Sequence, residues 1–368
     1  MRFLFTAVTT IGHLFPLVST AWALRAAGHD VLFGLAGPDV PGAVAAGLPV
    51  VNLTGDLDVD AAILAAHPTI TGQPVLPDQL PLAAKLFATA AELTADGLVD
   101  VARAWRPEVI VHSEWQLAGP LAAAVLGVPA IRHPTVFARG LERMPRLQRP
   151  YFAPVLARHG VDVLPEPALE LDLCPPSMNS GRPAGQLLRP VPYNGGATVG
   201  AGLLAASDRP LICVSLGTVV PTLSGPDAVR GTLDVLADVD ADVVLAIKDV
   251  PPELPDNVRA AGWLPLSILL GQCALVVHHG GAGTTLTALA AGVPQVIVPR
   301  YADHFLNAAA VTERGAGSTA QPSQVSAALI EDALNQPGPR KIAAEIRQEI
   351  ATMPSPADLV DALVRSGQ

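Results

Sequence analysis

Arg2 to Val8 is an apolar run without a turn residue, the length and character of a strand buried on both faces of a parallel sheet. Thr9 to His13 reads as a loop containing Gly12, and Leu14 to Ala27 has helical spacing. Gly28 stands where a helix C-terminus favours a residue at positive φ, and Val31 to Leu35 is the next strand. This βαβ unit sets the class as α/β. The theme returns at Val109–His112 (strand), Gly119–Leu126 (helix) and Pro129–Arg132 (strand). Between the two passages, Asp56 to Pro81 is rich in Pro, Asp and Gly without sustained periodicity, and reads as a long loop of the kind that grips ligands.

Pro183 to Pro210 carries Pro, Gly and small residues with little pattern, as a linker does. A second series follows it. Leu211–Leu216, Val243–Ile247, Leu275–His278 and Gln295–Val298 read as strands, and Asp227–Ala237 and Thr284–Ala291 as helices between them. Further helices are expected at about 304–314, 323–335, 339–351 and 357–365. Two α/β halves joined by a linker invite a ligand into the cleft between them.

With 368 residues, half of them hydrophobic, the chain has material for two cores. A net charge of −10 argues against a nucleic-acid partner, whose affinity needs Lys and Arg at phosphates. A phosphorylated ligand would have to be held locally, by backbone N–H groups, a helix end or single side chains. Cys174, Cys213 and Cys273 form neither a metal spacing nor an even framework, which suits a reducing, cytoplasmic setting. Arg2, the first apolar run and Ala21-Trp22-Ala23 imitate a secretion signal. The run is broken at Gly12-His13 and Pro16, however, and continues as a regular βαβ pattern. No stretch of about 18 apolar residues suggests a membrane span.

Val276 to Thr285 (VVHHGGAGTT) is the densest chemical signal: a buried strand, a run of small residues, then a helix start. Glycines admit a ligand to the backbone, and unpaired N–H groups at a helix start carry partial positive charge, so the segment is suited to phosphate. A tight strand-to-helix turn would account for the glycines but poorly for two adjacent His and two Thr. His13 falls at the C-terminal end of the first strand, where open parallel sheets bind ligands, and a neutral imidazole there could accept a proton. A cap or a core histidine is the plain alternative. Ser215-Leu216-Gly217-Thr218 and Asp303-His304 occupy corresponding strand ends in the second half. His29 reads as part of the turn after the first helix. The Asp-x-Asp spacings at Asp56, Asp58 and Asp60 and at Asp238, Asp240 and Asp242 read as solvated turns rather than a metal site.

These pieces, in this order, resemble the family-1 glycosyltransferases of the GT-B fold, two Rossmann-like domains facing each other across a cleft. The antibiotic-tailoring enzymes of actinomycetes that use dTDP-deoxysugars are the nearest in pattern. The matching stretches begin with Gly12-His13-Leu14-Phe15-Pro16-Leu17, Arg25 to Val31, Ala118-Gly119-Pro120-Leu121-Ala122 and Val191-Pro192-Tyr193-Asn194-Gly195. They continue with Ser215 to Thr218, Gly262-Trp263-Leu264-Pro265-Leu266, His278 to Thr284 and Gly292-Val293-Pro294-Gln295, and span nearly the whole chain. The resemblance implies an inverting, metal-independent transferase with no bound cofactor, taking a nucleotide sugar and a hydrophobic aglycone such as a polyketide as partners. A homodimer is compatible with it.

By the same resemblance His13 is the general base, and His278, Gly280, Gly281, Ala282, Gly283 and Thr284 form the diphosphate cradle. Gly217 and Thr218 approach the diphosphate and sugar, Trp263, Leu264 and Pro265 hold the nucleotide base, and Asp303 with His304 meets the sugar hydroxyls. The implied organisation is an acceptor-binding domain at 1–190, a linker at 191–210, a donor-binding domain at 211–353, and a helix at 354–368 packing back on the first domain. One departure matters. Where many relatives carry an Asp that orients the base, this chain has Ser113, followed by Glu114. Either Glu114 substitutes, or His13 works without a carboxylate, or the acceptor is acidic enough to need less help. A nucleotide-sugar 2-epimerase on the same fold, or a non-catalytic partner of another transferase, is the alternative reading.

Overall fold

The computed structural model describes residues 1–67, 80–137, 140–179, 183–203, 208–217, 231, 233–248, 250–300 and 302–368. Seven parallel strands make the first sheet: β1 (Arg2–Thr6), β2 (Asp30–Leu35), β3 (Val50–Asn52), β4 (Val109–Ser113), β5 (Ala130–His133), β6 (Leu169–Asp172) and β7 (Gln186–Leu187). Their order is β3-β2-β1-β4-β5-β6-β7. The second sheet has β8 (Leu211–Ser215), β9 (Asp242–Leu245), β10 (Val258–Ala260), β11 (Leu275–His278), β12 (Gln295–Ile297) and β13 (Gly317–Thr319), ordered β10-β9-β8-β11-β12-β13. The chain is therefore α/β with two Rossmann-like domains. In each sheet the strand order reverses beside the first strand of the half, between β1 and β4 and between β8 and β11. Open α/β sheets bind ligands at the carboxyl ends of the strands at such a reversal. The expected motifs lie there.

The apolar runs became strands because helices cover both faces of each sheet. Phe3, Leu4 and Phe5 of β1 are fully buried, as are Ile212, Cys213 and Val214 of β8. All three cysteines are buried. Asp240 and Asp242 pair with Arg209 at the edge of the second domain, at 2.9 and 3.4 Å.

Several expectations need correcting. Helix α1 spans Ile11–Ala26, one turn earlier than its apolar spacing suggests, because the Thr10 carbonyl accepts the N–H groups of His13 and Leu14. His13 is thus helical rather than in a loop. The stretch read as an irregular loop from Asp56 contains helix α3 (Val59–Ala66), nucleated by the Asp58 carboxylate accepting from the Ala61 N–H at 2.9 Å. Residues 68–79 of that stretch lie outside the described residues, as do 227–230 and 232 of the helix expected from Asp227, while 233–237 are helical. Beyond α3, helix α4 (Leu80–Trp105) runs for 26 residues. It packs on α5 (Ala118–Leu126) and α6 (Met144–Arg158), of which α4 and α6 had no clear signature. The span read as linker from Pro183 contributes β7 to the first sheet before it leaves the domain.

The second half continues with α7 (Leu266–Leu269), α8 (Ala282–Ala291), α9 (Ala302–Arg314), α10 (Ala327–Asn335), α11 (Pro337–Thr352) and α12 (Val360–Arg365). After α11 the chain returns to the first domain, where Leu359 and Leu363 join the buried cluster containing Phe3 and Val109. The outgoing and returning passages touch. The Arg189 N–H donates to the Pro354 carbonyl at 2.7 Å, and the Arg189 guanidinium to the Ala351 carbonyl at 3.3 Å. Among the described residues, no helix is long and apolar enough to cross a membrane.

Candidate active site

A cleft of about 410 Å³ lies between the two sheets' carboxyl ends, within the range that encloses small ligands. On the first-domain side it is lined by His13, Phe15, Phe87, Trp115, Thr135 and Val136, and on the second-domain side by Gly217, Trp263, His279, Gly281, Thr284 and Asp303 among others. His13 reaches it from the first turn of α1. Its ring is flanked by Trp115 and Phe87, with centroids 5.3 and 5.8 Å away. Burial pushes its pKa down to about 4, so the imidazole is neutral at physiological pH.

The two candidates after β4 behave differently. Ser113 is buried, and its hydroxyl accepts the Val8 N–H at 3.1 Å, which holds β1 to β4 beside the cleft. The Glu114 carboxylate faces the loop after β5 and accepts N–H bonds from Thr135 (2.8 Å) and Val136 (3.1 Å). Burial raises its pKa to about 7 against those hydrogen bonds. Thr135 stands between Glu114 and His13, and no local feature of the sequence marks it.

In the second domain, β11 delivers His278 to the sheet interior instead of the cleft. His278 is fully buried. Its Nδ1 accepts the Gly280 N–H at 3.1 Å, and its Nε2–H donates to Gln295 Oε1 at 2.8 Å. The expectation that it lines the cradle is thus corrected: its neighbour His279 does so. Strand alternation carries this signal, since successive residues of a strand face opposite sides. Gly280, at φ +93°, also lies behind the cradle, its carbonyl accepting from Asn307 at 2.8 Å. Pro265 precedes α7 and does not line the cleft, whereas Leu264 and the half-exposed Trp263 do. Thr218 lies outside the described residues.

Helix α8 starts at Ala282 with Gly281 as its N-cap, and no side chain caps it. The first helical bond is Thr285 N–H to Gly281 O, so the N–H groups of Ala282, Gly283 and Thr284 have no partner within the helix. This end lines the cleft. Side-chain bulk is excluded around it. A Cβ on Gly281 would come 2.4 Å from His279 Nε2, and one on Gly217 (φ +67°) within 2.5 Å of the same ring. His279 and His304 meet edge to face at 4.8 Å, and burial holds both near pKa 3. Positive potential on this side therefore comes from the helix end and from Lys248, which also lines the cleft and which sequence reading missed. Burial raises the Asp303 carboxyl to about 6. Among the described residues, no group of three His, Cys, Asp or Glu side chains is placed to hold a metal ion.

Comparison with known proteins places the chain in a family. Residues 22–217 match the N-terminal domain and residues 230–365 the C-terminal domain of the family described as erythromycin biosynthesis protein CIII-like. The chain belongs to this family. It is 37% identical to the elloramycin glycosyltransferase ElmGT of Streptomyces olivaceus, over 98% of this chain and 96% of that one. The crystal structure of the glycosyltransferase SnogD from Streptomyces nogalater superposes with a TM-score of 0.85 at 34% identity, covering 100% of this chain and 99% of that one. The glycosyltransferase SsfS6 of Streptomyces sp. SF2575, crystallised with thymidine diphosphate, gives 0.86 at 32% identity and 99% coverage of both chains. This family member is accordingly a glycosyltransferase with the GT-B fold, of the antibiotic-tailoring group.

Proposed function

We propose that this enzyme transfers a deoxysugar from a dTDP-sugar held by the second domain to a hydrophobic polyketide-type acceptor held by the first, with inversion at the anomeric carbon. One observation carries the reading: a neutral imidazole and an uncapped helix N-terminus face one cleft from opposite domains. In this scheme His13 Nε2 accepts the proton of the acceptor hydroxyl, whose oxygen attacks the anomeric carbon as the bond to the diphosphate breaks. The departing charge settles on the N–H groups of Ala282, Gly283 and Thr284, a fixed set of dipoles of the kind that stabilises leaving anions. Trp263 offers an aromatic face to the nucleotide base, and Asp303 an acceptor for sugar hydroxyls. Phe87 and Trp115 give the acceptor an apolar wall. The diphosphate-bound structure of SsfS6 supports the donor assignment.

Mass spectrometry of mixtures of dTDP- and UDP-sugars with polyketide aglycones tests the reading, with one sugar-mass adduct expected. NMR of donor alone separates the alternatives. An epimerised sugar without acceptor would replace transfer by 2-epimerisation, and no change in either assay would favour a non-catalytic partner. A narrower check concerns the cradle. Thr284→Ala removes the hydroxyl at the helix start, and a hydrogen bond to a charged group is worth about 1.5–3 kcal/mol. Calorimetry should then show dTDP affinity roughly 10–100-fold weaker. Unchanged affinity would remove Thr284 from the site.

A further inference from the structure

His13 and Glu114 do not touch, yet one hydroxyl joins them. Thr135 Oγ1 lies 2.9 Å from His13 Nδ1 and 3.0 Å from each carboxylate oxygen of Glu114. The three residues come from the carboxyl ends of adjacent strands β1, β4 and β5, separated in sequence by as many as 122 positions. A threonine hydroxyl has a single hydrogen. Above its pKa of about 7 the Glu114 carboxylate can only accept, so beside the N–H bonds from Thr135 and Val136 it takes that hydrogen as its third. The only bond left to the imidazole is Nδ1–H donating to Thr135 Oγ1. That fixes the tautomer and leaves the lone pair on Nε2.

We propose that Thr135 is a positioning residue: its hydroxyl couples the Glu114 carboxylate to His13, doing at one remove the work of a carboxylate bonded directly to the imidazole. The inference rests on the reading of His13 as the base. When Nε2 accepts the acceptor's proton, positive charge spreads over the ring. The Nδ1–H bond to a hydroxyl polarised by a carboxylate then strengthens, which favours the protonated ring at that moment. The loop carrying Thr135 is itself fixed. His133, two residues earlier, bonds Thr20 of α1 at 2.9 Å and the Pro134 carbonyl at 2.9 Å, tying the hydroxyl's position to the helix that carries His13. Ser113 is turned to a different partner, its hydroxyl accepting the Val8 N–H.

The test is a double-mutant cycle on purified full-length enzyme with a dTDP-sugar and an accepted aglycone. Thr135→Val keeps shape and removes the hydroxyl. It should lower kcat roughly 10–100-fold, as loss of a group that orients a functional histidine does elsewhere. KM for both substrates and dTDP affinity should stay as in the wild type. Thr135→Ser should restore most of the turnover, and in a His13→Ala background Thr135→Val should cost nothing more. Should Thr135→Val lose the wild-type thermal transition, Thr135→Ala carries the same comparison. Wild-type kcat in the hydroxyl-free variant, or an undiminished further loss in the His13→Ala background, overturns the coupling alone. Wild-type turnover of His13→Ala overturns the base assignment and the coupling with it.

Discussion

His13→Ala is expected to lower turnover by about 10²–10⁴, the usual contribution of a general base, or roughly 3–5 kcal/mol of barrier. Donor affinity should be unchanged, because the ring's hydrogen-bond and aromatic partners, Thr135, Phe87 and Trp115, all belong to the first domain. The measurement is single-turnover kinetics with saturating donor, alongside calorimetric titration with dTDP. A variant that turns over like the wild type would end the base assignment. The low basicity of His13 shapes what it can do. At about pKa 4 the ring is free to accept a proton in nearly every molecule at pH 7, but its pull on that proton is weak. A carboxylate coupled to Nδ1, or an acidic acceptor hydroxyl, would compensate.

Acid is expected to strip stability from the protein steeply below pH 6. His13, His112 and His133 have pKa values held near 4, and His278, His279 and His304 near 3, chiefly by burial. An unfolded histidine titrates near 6.5. Below that pH the unfolded chain binds protons that the folded chain refuses, so the neutral rings' full stability is present above 6.5 and drains away toward pH 4 and 3. Burial raises three carboxyls in the opposite sense, Glu114 to about 7, Asp303 to about 6 and Asp39 well above its ordinary value. Glu114 and Asp303 are protonated in the fold there while still ionised when unfolded, and Asp39 shifts in the same direction, which together offsets about half the loss. Roughly three protons remain, each worth about 1.4 kcal/mol per pH unit, or about 4 kcal/mol per unit between pH 6 and 4.5. By pH 4.5 the loss reaches about 6 kcal/mol, the lower part of a total stability of about 5–15 kcal/mol. Circular dichroism and tryptophan fluorescence against pH should show one cooperative loss with net proton uptake. A stability to urea that stays level between pH 6 and 4.5 would mean that the rings protonate in place.

Much of this architecture was legible because parallel strands buried on both faces leave uninterrupted apolar runs. Arg2–Thr6, Val109–Ser113, Leu211–Ser215 and Leu275–His278 stand out for that reason. Helix α4 was not legible. Its buried face, Ala84, Ala88, Ala91, Ala95, Leu98 and Ala102, has helical spacing, yet alanine contrasts too little with its neighbours to mark a stripe. Helix α6 carries Pro150 and Pro154, residues that read as breaks and that packing tolerates here. At the site, glycines and histidines at strand ends were visible locally, whereas Thr135 could be found only by folding the chain. The choice between His278 and His279 turned on one step of strand alternation. Ser113 stands where an orienting acid was expected, and the neighbouring Glu114 faces another loop.

The paired passages at Arg189 and Pro354 bear on how such an enzyme opens. Two peptide strands cross side by side, knotted by a main-chain bond, so the halves are not beads on a single thread. Twisting one against the other would shear that bond, while swinging about the line through both crossings would spare it. Two linked crossings thus restrain how the nucleotide side and the imidazole side can shift past each other.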